Sequence, residues 1–429
     1  MAIKSLYLDN YRGFTKALIN FESTTFLVGE NSTGKTSVLS LVYLLCQPEF
    51  FTTLDFNTEP IALGNFHDIA SPGAKTFRVA TEFNADDNPL KTKGPAFTYL
   101  DMTFRDQDGM TTVANFRCFS YGSNLSFKVD GDHLSYLIEK KEHEPFESWL
   151  RNDKVESWAA TIEIQKYRTQ FRTYFLIDHI IRHFTSKNKN IDFVPALIPW
   201  IGPPVSWIAP IRAKARRTYD SYRASFSPEG EHAPYVLNNI LHEEKALPDS
   251  AKHLTSSLRN FGKASGLFRA IRPKRLGPGQ SAPFELQVAL SNHAYKLSSV
   301  GYGVQQILPI LVELLSGDHA REQLCLQQPE IHLHPKAQAA LGDLLLHLAV
   351  SSKRQFIVET HSDFLIDRYR LAMTTADKPP PSQVVFFTRS PSGNHATPVA
   401  IHKDGRYSEE QPQEFRSFFL QEDLRLFRL

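Results

Sequence analysis

The run "GENSTGKTS", from Gly29 to Ser37, places Gly29, Gly34, Lys35 and Thr36 at the spacing G-x-x-x-x-G-K-[ST]. Glycines there let backbone N–H groups approach phosphate, and the following helix adds the positive end of its dipole. Lys35 can reach the β and γ phosphates, and the Thr36 hydroxyl suits Mg²⁺. Asn31 and Ser37 lie in the same run and join the candidate nucleotide contacts. ATP or GTP binding is the firmest expectation. Two further segments fit the same chemistry. "KLSSVGYGVQQILPIL" sets Ser299, Gly301 and Gly303 at a helix start, where amides and hydroxyls suit an anion. "QFIVETHSDFL" ends a strand on His361, whose imidazole could contact a γ-phosphate. "LCLQQPEIHLHP" reads as a buried strand ending on Gln327 and Gln328. In phosphoryl transfer, an acid at such a strand end holds Mg²⁺ through water or orients the attacking water. Gln327, Gln328, Glu330 and His361 are therefore the candidate catalytic residues, with Thr36 and Gln327 as metal contacts. Glutamine keeps the shape but loses charge and basicity, so slow hydrolysis with intact binding is expected. Glu330 is the nearby carboxylate, placed to cap the next helix or to act on water. His332 and His334 lack further ligands at metal spacing, which argues against a zinc site.

The elements around these residues alternate. "IKSLYLD" and "KALINFE" read as a hairpin, and "TTFLVGE" as a buried strand leading into the helix "GKTSVLSLVYLLCQ". Residues from about 76 to 138 read as an antiparallel meander. From about 144 to 262 the pattern turns helical and irregular, strongest in "ESWLRNDKVESWAATIEIQKYRTQFRTYFLIDHIIRHF". Strands and helices then alternate again through "FELQVAL", "VQQILPILVELL", the Gln327 strand, "KAQAALGDLLLHLAV" and "QFIVETHS". The expected fold class is α/β, a mixed sheet plus an antiparallel β lobe, with a mainly helical inserted lobe. No heptad-bearing arm occurs between Thr36 and Ser299, so no long coiled coil is expected. The expected divisions are 1–140, 141–265 as the insertion, and 266–429.

The chain has 429 residues, 41% hydrophobic and 22% charged, with 48 Lys and Arg against 46 Asp and Glu. That suits two lobes, and the near-neutral balance demands no nucleic acid. Cys46, Cys118 and Cys325 form no disulfide framework and point to a reducing compartment. No segment approaches the length of a membrane span and no signal peptide is evident, so a soluble cytoplasmic protein is expected.

Taken in order, these motifs resemble the ABC-type ATPases of the chromosome-maintenance and RecF-like superfamily. The likeness is greatest to the compact prokaryotic proteins related to the overcoming-lysogenisation-defect ATPases. "NYRGF", carrying Arg12, resembles their first-strand motif, "SSVGYGVQQ" their signature, "QQPEIHLHP" their Walker B and D-loop, and "VETHSDFL" their switch-histidine segment. The resemblance adds Arg12 to the nucleotide contacts. It implies an ABC-type ATPase head using ATP and Mg²⁺, which pairs head to tail with a second copy, or assembles further, so that Lys35 and Ser299 meet one ATP from opposite chains. "IAPIRAKARRTYD" and "VAIHKDGRYSEEQPQEF" resemble small ATPases found beside nuclease or other effector genes, implying an antiphage sensor or scaffold subunit with a separate effector. Members of that family usually carry an acid where Gln327 stands. Gln327 is then either a natural slow switch or an introduced Glu→Gln change, and the intact state of the other motifs speaks for the second. A DNA-repair or recombination ATPase is the alternative. "PIRAKARRTYDSYR" offers Arg212, Lys214, Arg216, Arg217 and Arg223 with Tyr219 and Tyr222 to nucleic-acid phosphates, although a solvated basic loop fits that composition at least as well.

Overall fold

The computed structural model describes residues 2–58, 61–85, 96–120, 122–164, 173–187, 205–220, 225–241, 249–278, 282–316, 323–352 and 354–418. The chain forms two compact units. The first is Met1–Phe21, Glu30–Pro204 and Phe387–Thr397; the second is Glu22–Gly29, Val205–Phe386 and Pro398–Leu429.

In chain order come β1 (Ala2–Asp9), β2 (Ala17–Asn20), β3 (Thr24–Gly29), α1 (Lys35–Leu45), α2 (Pro48–Thr53) and α3 (Phe66–Ile69). The meander follows as β4 (Thr76–Ala85), β5 (Ala96–Gln107), β6 (Met110–Ser120), β7 (Ser123–Asp130) and β8 (His133–Lys140), then α4 (Phe146–Arg151), β9 (Ala160–Glu163) and α5 (Thr173–Lys187). Next are β10 (Val205–Ile208), α6 (Ala233–Leu241), α7 (Asp249–Ser265), β11 (Ala270–Arg275), β12 (Phe284–Ala289), β13 (Ala294–Lys296) and α8 (Tyr302–Leu315). The chain continues through β14 (Gln323–Gln327), α9 (Pro335–Ser351), β15 (Gln355–Glu359), α10 (Asp363–Met373), β16 (Ser382–Ser390), β17 (Gly393–Ile401) and α11 (Gln413–Phe418).

The first unit is built on an antiparallel sheet of order β2-β1-β4-β5-β6-β7-β8-β9. The expected hairpin and meander are both present, and they belong to one sheet because β1 pairs with β4. Alternation along β8, buried at Leu134, Tyr136 and Ile138, is what one packed face requires. Rings fill that face: Phe77 stacks on Phe104 at 4.9 Å and Phe116 on Phe127 at 4.8 Å. A buried carboxylate, Asp101, is held by two 2.8 Å bonds from Arg78 and lies 3.3 Å from Arg117, which itself caps the Trp149 and Asn152 carbonyls. The stretch with the strongest helical pattern contains a strand. β9 pairs with β8, because Ile162 and its neighbours complete the sheet edge, and α4 and α5 are the described helices of that stretch. Residues 165–172, inside that stretch, lie outside the described residues.

In the second unit β10, β14, β15 and β3 are parallel neighbours in that order. Every residue of β3, β14 and β15 is buried, the mark of parallel strands covered on both faces. Their core joins Phe26, Leu326 and Phe356 to Leu237 of α6, Leu258 of α7, Ile307 and Leu311 of α8, Leu341 of α9 and Leu365 of α10. β10 lies within 141–265 yet runs in this sheet, so that stretch is not helical throughout. A small antiparallel sheet, β11-β12-β13, precedes α8. The longest described helices, α7 and α9, have 17 residues, and none is long and apolar enough to cross a membrane.

Candidate nucleotide-binding site

β3 delivers the chain to Gly29, and the loop that follows belongs to the first unit. Gly29 and Gly34 take φ of 144° and 98°, and Ser32 one of 63°. At Gly34 glycine is required twice over, since an added Cβ would also stand 2.5 Å from Cε2 of Phe14. Gly34 is the N-cap of α1, and no side chain caps the helix. A helix start of this kind presents backbone N–H groups and the positive end of its dipole. Lys35 is buried, and its Nζ donates to the Glu30 carbonyl at 2.6 Å; Thr33 Oγ1 donates to the same oxygen at 2.8 Å. The loop is closed on itself around the position a phosphate would take. Asn31 and Thr36 are exposed, Thr36 on the first turn of α1.

Arg12 sits behind this helix. Its Nη1 donates to Ser37 Oγ at 3.2 Å and its Nη2 to the Leu63 carbonyl at 2.6 Å, while Tyr11 Oη donates to the Ser37 carbonyl at 3.1 Å. These bonds fix α1 from the side, so Arg12 and Ser37 support the loop through one another. Motif reading missed a second support. Asn394 donates from Nδ2 to the Arg12 carbonyl at 2.8 Å, its backbone N–H donates to the Gly13 carbonyl at 2.8 Å, and it faces Gly34. Asn394 is 382 residues from Arg12, and no local pattern could have announced it.

In the second unit the ends of three strands are level. Gln327 of β14 stands opposite Glu359 of β15, which stands opposite Leu27 of β3. The glutamine strand, the strand leading to His361 and the strand entering the P-loop are neighbours in register. Gln327 is buried, and Gln328 turns the chain with a φ of 43°, its N–H donating to the Glu359 carbonyl at 2.7 Å. Glu330 accepts from the His361 N–H at 2.8 Å through Oε1. Burial pushes its carboxyl above the usual range, against the pull of that bond. Glu330 does not cap the following helix: His334 does, its Nδ1 accepting from the Ala337 N–H at 3.3 Å. Among the described residues no three His, Cys, Asp or Glu gather as metal ligands. The His361 side chain is exposed, and Ser362 caps α10 by accepting from the Leu365 N–H at 3.0 Å.

Ser299 and Gly301 are exposed at the start of α8, whose N-terminus has no side-chain cap. Nothing lies within 4 Å of a Cβ built on Gly301, whereas one on Gly303 would meet the His332 carbonyl at 2.7 Å. Gly303 is thus needed for packing on the Walker B loop, and Gly301 faces open space. Arg212 departs from the expected basic surface. It is 3% exposed, its Nη2 donating to the Gln328 carbonyl at 3.1 Å, because the chain after β10 turns in beside β14. Tyr219 is also buried, stacked on Phe284. Lys214, Arg216 and Arg217 remain exposed, and Tyr222 and Arg223 lie outside the described residues.

A buried parallel β-strand, a glycine loop closed on a lysine and an uncapped helix define a P-loop α/β ATPase fold. The chain belongs to the family described as "AAA domain, putative AbiEii toxin, Type IV TA system", whose pattern matches residues 117–367, more than half of the chain. An AAA ATPase domain pattern also matches residues 1–196, which include the P-loop. No curated protein matches. Among solved structures the chain is similar to an Smc head bound to the C-winged helix domain of ScpA, at 14% identity and a TM-score of 0.48, covering 94% of this chain and 99% of that one. It is also similar to the SMC head domain from Thermotoga maritima, at 13% identity and a TM-score of 0.42, covering 93% and 99%. The identification rests on the family patterns and the geometry.

Proposed function

We propose that this chain binds ATP with Mg²⁺ in its P-loop, pairs with a second copy through the signature segment, and hydrolyses the nucleotide slowly. In this reading it is the sensor or scaffold subunit of a prokaryotic antiphage system, with the effector, such as a nuclease, on another polypeptide. The observation that carries the ATPase reading is the level register of β14, β15 and β3, which brings the glutamine turn, the switch segment and the strand entering the P-loop to one sheet edge. In this reading Lys35 and the start of α1 bind and orient the phosphates, and His361 is the side chain proposed for the γ-phosphate. On the same reading the oxygens that Mg²⁺ prefers would come from the Thr36 hydroxyl and the Gln327 amide, with phosphates and water completing its shell. Mg²⁺ would neutralise charge on the β and γ phosphates. Glu330 is the one carboxylate at the turn that could hold a water, and it is spent on the His361 N–H at one oxygen.

Support for pairing comes from the exposed Ser299, Gly301 and Tyr302 at an uncapped helix start. Support for a defence role comes from the family description and from the motif resemblance. Light scattering of the chain with and without Mg·ATP tests the assembly. The expected result is a dimer or larger particle only with ATP, lost in Ser299→Arg without loss of ATP binding. A mass indifferent to ATP would rule out head-to-tail pairing.

One observation favours the DNA-binding ATPase as a second reading. A groove of about 490 Å³ beside α7 and β11 is lined by Arg259, Arg272, Lys274 and Arg275, with no acid among its described lining residues. Duplex binding that weakens with salt and is lost on neutralising Arg272 and Lys274 would support it; binding unaffected by that change would exclude this groove.

A further inference from the structure

One buried side chain of the second unit touches the Walker B turn and is tied to the signature helix. Arg212 donates from Nη2 to the carbonyls of Gln328 at 3.1 Å and Gln327 at 3.4 Å. Its own carbonyl accepts from Nε2 of Gln306, a fully buried residue of α8, at 3.3 Å. The guanidinium is almost completely buried, yet Nε and Nη1 have no partner. Desolvation of this kind is costly and pushes the arginine down to about 10, with Glu330 the one charge pulling it back. Glu330 is buried too. Its Oε1 holds the His361 N–H at 2.8 Å, and its Oε2 has no partner.

An apolar side chain would fill the Arg212 position without this cost. What it could not do is hold the carbonyl of Gln328, a non-glycine residue kept in the left-handed region at φ 43°. The unmade bonds are also complementary, two donors on Arg212 and one acceptor on Glu330. A movement of the turn that brought Glu330 Oε2 onto the guanidinium would satisfy both and pull on the His361 backbone. A second arrangement of that kind is what a switch would require.

We infer that Arg212 is a positioning residue that links the signature helix, through Gln306, to the Walker B turn and, through Glu330, to the backbone of the switch histidine. Contact made at the signature segment is carried by this route to the turn that follows β14. The link between segments stands on the geometry alone; its use in nucleotide sensing rests on the ATPase reading.

The test has two arms on the full chain. In the absence of nucleotide, amide exchange is compared between the unsubstituted protein, Arg212→Met and Gln306→Leu. The expected result is exchange about tenfold faster at Gln328 and His361 in both variants, with Cys325 inside β14 unchanged. Unchanged exchange at Gln328 and His361 overturns the link, and Gln306→Leu decides it should Arg212→Met fail to fold. In the second arm ATP and ADP affinities are measured separately. A positioning role lowers the preference for ATP over ADP about fivefold or more while ADP affinity holds. Equal loss of both, together with faster exchange at Cys325, would reduce Arg212 to a structural part. Failure of the unsubstituted chain to bind ATP would sink the ATPase reading, while the exchange arm would still judge the link.

Discussion

Replacing Gly34 by alanine is expected to open the P-loop. The residue sits at φ 98° and ψ 3°, where a side chain costs about 1–2 kcal/mol. The new Cβ would stand 2.5 Å from Cε2 and 2.6 Å from Cζ of Phe14. Phe14 cannot swing aside easily, being fully buried and edge-on to Phe387 at 6.2 Å. Overpacking of this kind adds about 1–3 kcal/mol. The total is about 2–5 kcal/mol, shared between global stability and the loop itself. Any relief requires the loop to move off Phe14 and Asn394, which breaks the Lys35 to Glu30 closure. Urea unfolding read beside an ATP titration measures both shares. We expect at least about 2 kcal/mol between them, including a loss of ATP affinity of about tenfold. If both quantities stayed within about 0.5 kcal/mol of the unsubstituted protein, the argument that this cradle is sterically closed would be wrong.

Other outcomes follow from the same geometry. Gln327→Glu restores an acid at the strand end and is expected to raise phosphate release about 100-fold with little change in ATP affinity, as followed by a steady-state phosphate assay. Glu330 retains its proton in the folded chain to a higher pH than the ordinary 4.5. Its contribution is therefore present below that value and lost as pH rises through the raised one. Glu330→Gln, which keeps the oxygen facing the His361 N–H, should become more stable relative to the unsubstituted protein across that window, and parallel pH curves would refute the shift. Asp101→Ala leaves the buried Arg117 without its carboxylate and Arg78 with Asp153 alone, and is expected to cost about 3 kcal/mol in chemical unfolding; a cost under about 1 kcal/mol would mean the cluster is solvated. Cys46, Cys118 and Cys325 are all buried, and burial pushes the thiols of Cys118 and Cys325 up. None should label with iodoacetamide until the chain unfolds.

What was legible in the sequence was local. The P-loop has fixed spacing because its geometry is made by consecutive residues, and β3, β14 and β15 announce themselves as short apolar runs because both faces are covered. Contacts across the chain were not legible. Asn394 supports Gly34 from the start of β17, and Gly303 answers to the His332 carbonyl, neither of which leaves a periodic mark. Arg212 was read with its exposed neighbours Lys214, Arg216 and Arg217 because charge alone cannot tell a buried donor from a solvated one. β9 escaped notice because four residues are too few to interrupt a helical pattern, and its pairing with β8 is a tertiary choice.

The most direct test of the central claim is the identity of nucleotide retained after the chain is incubated with Mg·ATP and separated from free ligand. The account expects close to one nucleotide per chain, most of it still ATP, and none in Lys35→Ala. Recovery of ADP alone would contradict slow hydrolysis, and recovery of no nucleotide would contradict binding itself.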